Sequence, residues 1–497
     1  MRRIKKGTQD KTEFIWEVSL LMEWFNGCKD VLIENQRIVQ GDKPFSFLSL
    51  FCKSLVDTKE LRKTILPHLH EVLEHDFSGD SKSLEQKIVF PLTTLKLDLS
   101  KEDMAQKVFE GEFLFFIPEF NLAYSIQIAQ LPSRQVEQPS TEVTMKGARD
   151  GFVEELQTNI GLIRKRLKTT SLSCEEYVIG TRSKTRVSIL YLNDVIQENV
   201  VEKVRSKLKN IHLDAIVSST QIEELISEKT FSIFPLLEYT GRPDYAVNCL
   251  LYGRFVILVE GTPTATIGPV TLPFFVNNAE DQHSLAPFAS FGRVLRMVSL
   301  LVSVFLPGFW IALASYHPDQ IPYKLLATLS LAREGVPLPA PLEGFIMIFL
   351  FELLREAGLR IPSTFGQTLS VVGGLIIGQA AISAGFSSPA IVVMMAISVV
   401  STFTMVNQSL TGALSILRYF VFLLSSCFGV VGLIFAIFMI TIHVVNLRSF
   451  GVPFMAPYSP LVPTSVVPAT FRVRFRKMTR RPKELHTIDS TRVKDEE

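Results

Sequence analysis

The distribution of charge along the chain constrains the fold more than any motif does. Up to Arg293 charged and apolar residues are mixed; beyond it come long apolar runs almost free of charge. A helix needs about 20 mostly apolar residues to cross roughly 30 Å of hydrocarbon. Four stretches meet this: Met297–Tyr316, Leu369–Phe386, Ala390–Gln408 and Leu417–Val445. Ser387-Ser388-Pro389 joins the second to the third, which leaves room only for a tight helical hairpin. The reading is an α/β soluble N-terminal region of two subdomains, followed by an α-helical transmembrane bundle. The net charge of +2 hides this split and gives no ground for a nucleic-acid partner.

The expected units are 1–140 and 145–290 (two cytoplasmic subdomains), 294–446 (the bundle) and 447–497 (a basic tail). One further apolar stretch, 342–358, carries Glu343, Glu352, Arg355 and Glu356. Its charges at about 3 kcal/mol each outweigh the return from its apolar residues, so alone it does not span. At about 100° per residue Glu352, Arg355 and Glu356 share a face and Glu343 lies opposite. Two placements remain open: an amphipathic helix at the membrane interface or against the bundle, or a buried helix whose charges face a water-filled vestibule.

Lys and Arg near span ends set orientation. Arg293 and Arg296 precede the first span, and Arg472, Arg474, Arg476, Lys477, Arg480, Arg481 and Lys483 follow the last. Both ends therefore read as cytoplasmic, which requires an even number of crossings; four satisfy it. Five dispersed cysteines without metal or redox spacing argue for a reduced compartment or inert buried thiols.

In the first subdomain Leu61–His75 reads as a helix weakened at Pro67, and Phe113–Ile117 and Tyr124–Ile128 as strands. In the second, Val153, Leu156, Ile160, Ile163 and Leu167 form an apolar helical stripe. Val187–Leu192 reads as a strand, with Asn193 or Asp194 capping a helix through Val200, Val204 and Leu208. Pro243 opens a helix that Gly253 closes, and Arg254–Val259 is a strand. The cluster Arg164, Lys165, Arg166 and Lys168 reads as a solvated helix face, with an anionic lipid contact as the alternative.

Catalytic motifs fail on spacing. His70 and His75 stand at i,i+5, about 140° apart on a helix, where a zinc pair needs i,i+4. Gly180 to Thr185 lacks the glycine before the lysine of a phosphate loop. No nucleophile and base come together, so neither an enzyme nor a metal nor a cofactor is expected.

The second span is more informative. Gln367, Ser370, Gly374, Gly378, Ala381 and Gly385 fall on one stripe, while Gln379 and Ser383 lie on roughly the opposite side. Small residues let helices approach closely, so packing is one reading of the stripe. A helix with a small stripe and a separate polar strip cannot give both faces to lipid, so lining an ion path is the other.

Several motifs together resemble the A-subunit family of bacterial spore germinant receptors. In the second subdomain they are Gly151 to Arg166 (GFVEELQTNIGLIRKR) and Glu238 to Asp244 (EYTGRPD). In the bundle they are Leu331 to Pro337 (LAREGVP), Phe351 to Gly358 (FELLREAG) and Val372 to Ala381 (VGGLIIGQAA), then Leu447 to Pro453 (LRSFGVP). The likeness covers about 145–460. Two departures stand out: Asn277 to Phe288 keeps Glu280-Asp281 but not the family's tyrosines, and no proline falls near Val406.

The resemblance implies a subunit of a nutrient receptor in the inner spore membrane, beside a transporter-like B subunit and a lipoprotein C subunit. It implies an oligomeric, ligand-gated ion channel, with Ser370, Gly374, Gly378, Gln379, Ala381 and Ser383 at the pore or its packing. Glu343, Glu352, Arg355 and Glu356 are then expected at a vestibule or subunit contact. A non-conducting scaffold is the rival. A secondary transporter is weaker, because no repeat is visible and the four spans read as lacking central charges.

Overall fold

The computed structural model describes residues 18–492 apart from 41–42, 76, 78–83, 85–86, 98, 130–145, 230–231, 361–375 and 406. The soluble region holds two antiparallel five-stranded sheets. The first comprises β1 (Val31–Gln40), β2 (Lys43–Cys52), β3 (Leu92–Thr94), β4 (Glu112–Ile117) and β5 (Leu122–Gln127), in the order β1-β2-β4-β5-β3. Successive strand side chains point to opposite faces. Hence Phe113, Phe115 and Tyr124 bury one face against Ile65, Leu69 and Leu73 of a helical stretch. Leu114, Phe116 and Ala123 bury the other against α3 (Lys101–Phe109) and α1 (Val18–Trp24). The helical stretch runs on through Pro67, contrary to the expected weakening. A π-helical turn, Leu61–Ile65, closed by the Leu66 N–H on the Leu61 carbonyl, comes first. Pro67 is then the second residue of α2 (Leu66–His75), where a missing donor costs little.

The second sheet is ordered β6-β7-β9-β10-β8. Its strands are β6 (Leu172–Ile179), β7 (Thr185–Leu192), β8 (Glu238–Thr240), β9 (Phe255–Val259) and β10 (Ala265–Gly268). α4 (Leu156–Arg164) and α7 (Pro243–Leu251) cover one face; α5 (Glu198–Lys209) and α6 (Ser219–Ile226) cover the other. Neither Asn193 nor Asp194 caps α5: they sit in a turn, and Gln197 is the N-cap without a side-chain bond. Val195 and Ile196 are buried, so the chain turns to seat them before the helix begins. The phosphate-loop-like residues Gly180 to Lys184 form the β6–β7 turn, with positive φ at Gly180 and Lys184.

The C-terminal region is a helical bundle. α8 (Ala286–Tyr316) and a continuous stretch Gln408–Val445 are each long and apolar enough to cross a membrane. The second of these is two helices. Gly429 has φ 61° and ψ −138°, and Gly432 lies against the Leu424 carbonyl eight residues back, so the chain reverses there. Contacts with α8 agree. Ser303 meets Arg418, Gly308 meets Val421 and Ser425, and Tyr316 bonds the Ser426 carbonyl, while His443 is back beside Phe234 of the second subdomain.

The other helices of the bundle are α9 (Tyr323–Ala332), α10 (Ala340–Arg360), α11 (376–383) and α12 (Pro389–Thr402). The two arms after them are α13 (408–428) and α14 (430–445). α10 runs antiparallel to α8: Met347 and Ile348 pack with Trp310 and Ile311, whereas Glu352 and Arg355 reach Arg418 and Ser415 nearer the soluble side. It packs against the bundle with Glu343, Glu352 and Arg355 turned inward and Glu356 exposed.

After α14 the chain folds back on the second subdomain. Ser449 takes a bond from Val270 N–H and gives one to the Leu236 carbonyl.

Candidate functional site

α11 positions the residues expected to matter most. Ser370 and Gly374 lie outside the described residues. Gly378 and Ala381 are buried, and a Cβ on Gly378 would come within 3.8 Å of Val392 on α12. Gly378 and Ala381 thus face neighbouring side chains of the same chain. Gln379 and Ser383 are exposed, as are Ala380 and Ala384 between them, and the Gln379 amide donates to the Ser383 hydroxyl at 3.5 Å. The outward face of this helix therefore carries Ile376 together with the small and polar side chains of Gln379, Ala380 and Ser383.

The charged residues of α10 divide. Glu343 is fully buried, where a vestibule or subunit contact was expected. Its carboxylate pairs with Arg333 at 3.1 Å and accepts the Ser388 N–H at 2.9 Å, at the N-cap of α12. Charge complementarity with that helix end accounts for its place. It clasps α10 to the two neighbouring segments. Glu352 pairs with Arg355 and, at 3.7 Å, with Arg418. Glu356 is exposed.

Arg418 went unrecognised in the sequence. It is fully buried and donates to the Ser303 carbonyl at 2.9 Å and to the Thr402 hydroxyl. Ser398 also bonds the Ser303 carbonyl, at 2.7 Å. One guanidinium thus joins α8, α10, α12 and α13. It also corrects the expectation of spans without a central charge. The available signal was a lone arginine inside an apolar run, which needs a partner in a low-dielectric bundle.

The junction between the soluble region and α8 is also ionic. Asp281 accepts from Arg293 at 3.1 Å and Arg296 at 2.5 Å. Arg242, almost wholly buried, pairs with Asp244 and Glu280, each at 2.7 Å. Burial raises the Asp244 carboxyl, but bonds from Arg242 and His283 outweigh it and hold the group below the usual carboxylate range.

Known proteins place this arrangement. The family model described as Bacillus/Clostridium GerA spore germination protein matches residues 19–484. The chain belongs to the GerA spore germination protein family. Spore germination protein XA of Bacillus anthracis is 59% identical over 95% of this chain and 96% of its own length. Spore germination protein KA of Bacillus subtilis (strain 168) is 33% identical over 93% of this chain and 85% of its own. An uncharacterized membrane protein of the same organism, YfkQ, is 33% identical over 95% and 90%. The crystal structure of the N-terminal domain of the A subunit of the Bacillus megaterium spore germinant receptor GerK3 covers 50% of this chain and 92% of that one. It does so at 23% identity and a TM-score of 0.37.

Within this GerA chain the basic cluster 164–168 needs correction. Arg164 is not on a solvated face. Its guanidinium is fully buried in a two-point pair with Asp30, at 2.8 and 2.9 Å, and stacks 4.3 Å over Phe109. Arg166 pairs with Asp150 and Lys168 with Glu110; Lys165 is exposed. Cys28, Cys52, Cys174 and Cys249 are buried free thiols, and burial pushes Cys52, beside Asp30, up to about 12. Such thiols are inert, and only Cys427 is exposed.

Proposed function

We propose that this GerA-family chain is the A subunit of a nutrient germinant receptor and acts as a subunit of an oligomeric, ligand-gated ion channel rather than as an enzyme. In this reading α11 borders the ion path. The exposed Gln379–Ser383 strip supports it. Polar groups facing hydrocarbon cost free energy, so such a strip calls for a water-filled lumen or a neighbouring subunit. Glu352 and Arg355, tied to Arg418, act as a brace behind the strip.

Counting α10 as a crossing and splitting the last run at Gly429 adds two crossings to the four apolar stretches, giving six. An even number keeps both ends on one side, the cytoplasmic side in the inner spore membrane. The family resemblance supplies the companions: a transporter-like B subunit and a lipoprotein C subunit, with further copies of this chain around the path.

The test is ion flux from liposomes holding this chain with its B and C partners, with and without candidate nutrients. Nutrient-dependent flux that disappears in Gln379→Leu, with assembly intact, is the expected result. Flux untouched by that change places conduction elsewhere and favours a scaffold role for this chain.

A further inference from the structure

At a rise of 1.5 Å per residue α8 is about 46 Å long, roughly 16 Å more than the hydrocarbon core. The excess lies at its N-terminal end, where Arg293 and Arg296 hold Asp281 of the soluble region. Polar surroundings are expected there. Instead Leu285, Phe288 and Phe291 are 70, 72 and 72% exposed. They continue downward the outward stripe of Leu295, Val298 and Leu301.

The C-terminal segment lies across the same turns. Arg472 N–H donates to the Ser290 hydroxyl at 3.0 Å, and its guanidinium reaches the Ser284 and Gln282 carbonyls. Phe471 beside it is exposed. Arg474, Arg476 and Lys477 follow, all exposed and none with an ion-pair partner among the described residues. At no more than about 3.6 Å per residue they stay within roughly 20 Å of Ser290. Exposed aromatics and unneutralised cations thus lie along one short segment and the helix turns it crosses, near the start of the apolar span.

We infer that this collar binds the anionic phospholipid headgroups of the leaflet facing the soluble region, with Phe288, Phe291 and Phe471 in the interfacial layer and Arg474, Arg476 and Lys477 on the phosphates. The inference rests on the reading that α8 crosses the membrane. Apolar continuity with the lipid-facing stripe and complementary charge identify the occupant. Each basic residue at an anionic surface strengthens the contact about fivefold, so three are worth about a hundredfold.

The test reads amide hydrogen exchange of the full chain in nanodiscs of phosphatidylcholine alone and of phosphatidylcholine with phosphatidylglycerol. Amides of 463–477 exchange at least about tenfold more slowly in the anionic discs, and raised salt removes the difference. R474Q/R476Q/K477Q abolishes that lipid dependence while β7 and β9 stay protected; F288S/F291S weakens it in the same way. Equal exchange in the two lipids overturns the inference. Protection that follows the number of copies per disc rather than lipid charge overturns it too, in favour of a contact between copies. Fast exchange at 297–316 in both lipids contradicts the spanning reading itself.

Discussion

Arg164 and Asp30 are 134 positions apart and form a fully buried two-point ion pair between the two soluble subdomains. Beside it the chains also touch through backbone: Lys29 N–H donates to the Cys174 carbonyl and Cys174 N–H to the Gly27 carbonyl. The subdomains are therefore locked at this seam. Removing one partner of such a pair strands a charge at a cost of about 3–5 kcal/mol, whereas replacing both with apolar groups is close to neutral. Asp30→Ala should lower the stability of the full chain by that amount. Asp30→Leu with Arg164→Met should recover most of it, as read by denaturant unfolding of the detergent-solubilised protein.

Arg418 makes the equivalent prediction in the bundle. Arg418→Leu leaves Glu352 without its second arginine and frees the Thr402 hydroxyl and the Ser303 carbonyl of one donor. A loss of about 3 kcal/mol is expected. Thermal unfolding monitored by aggregation, with Arg418→Leu/Glu352→Leu as the compensating variant, checks it.

Gly429 carries the reversal between α13 and α14. Its φ and ψ belong to a region almost reserved for glycine, and a Cβ there would stand 2.9 Å from the Tyr316 ring. Gly429→Ala should cost about 1–3 kcal/mol from backbone strain alone. Trimming Tyr316 to alanine in the same chain removes the ring contact but not the strain, so the double variant should stay less stable than Tyr316→Ala.

Stability should also depend on pH through Glu223. Burial pushes this carboxyl up to about 7 from an ordinary value of 4.5. Between these values the folded state binds the extra proton, so stability is complete below about 4.5 and falls as pH rises to about 7. Glu223→Gln should remove that decline, on the order of 3 kcal/mol. Asp244 acts in the opposite sense: its lowered carboxyl gives stability that is present above about 3.8 and lost on acidification. Melting temperatures of both forms across pH 3–8, a range of about five units, separate the two effects.

The sequence carried the division of the chain clearly, because long apolar runs obey a length rule that tertiary contacts do not alter. It carried local punctuation less well. β1 and β2 pair with Gln40 opposite Lys43, so Gly41-Asp42 between them was a hairpin signal that went unread. Arg164 falls four residues after Ile160, inside the apolar stripe of α4, but its partner is too distant in sequence for local patterning to supply. The 417–445 run looked like one span because a reversal through a single glycine leaves no polar gap. Among the site residues, the separate faces of Gly378 and Gln379 followed from helical geometry alone.

The central claim is that Gln379 and Ser383 face the ion path, and single cysteines test it most directly. With Cys427 replaced by serine, Gln379→Cys and Ser383→Cys are introduced separately into the receptor reconstituted with its B and C partners. A charged, water-soluble thiol reagent should then block nutrient-dependent flux in both variants, while Val393→Cys on the exposed face of α12 is unaffected. Unchanged flux after verified modification of both cysteines would contradict the claim.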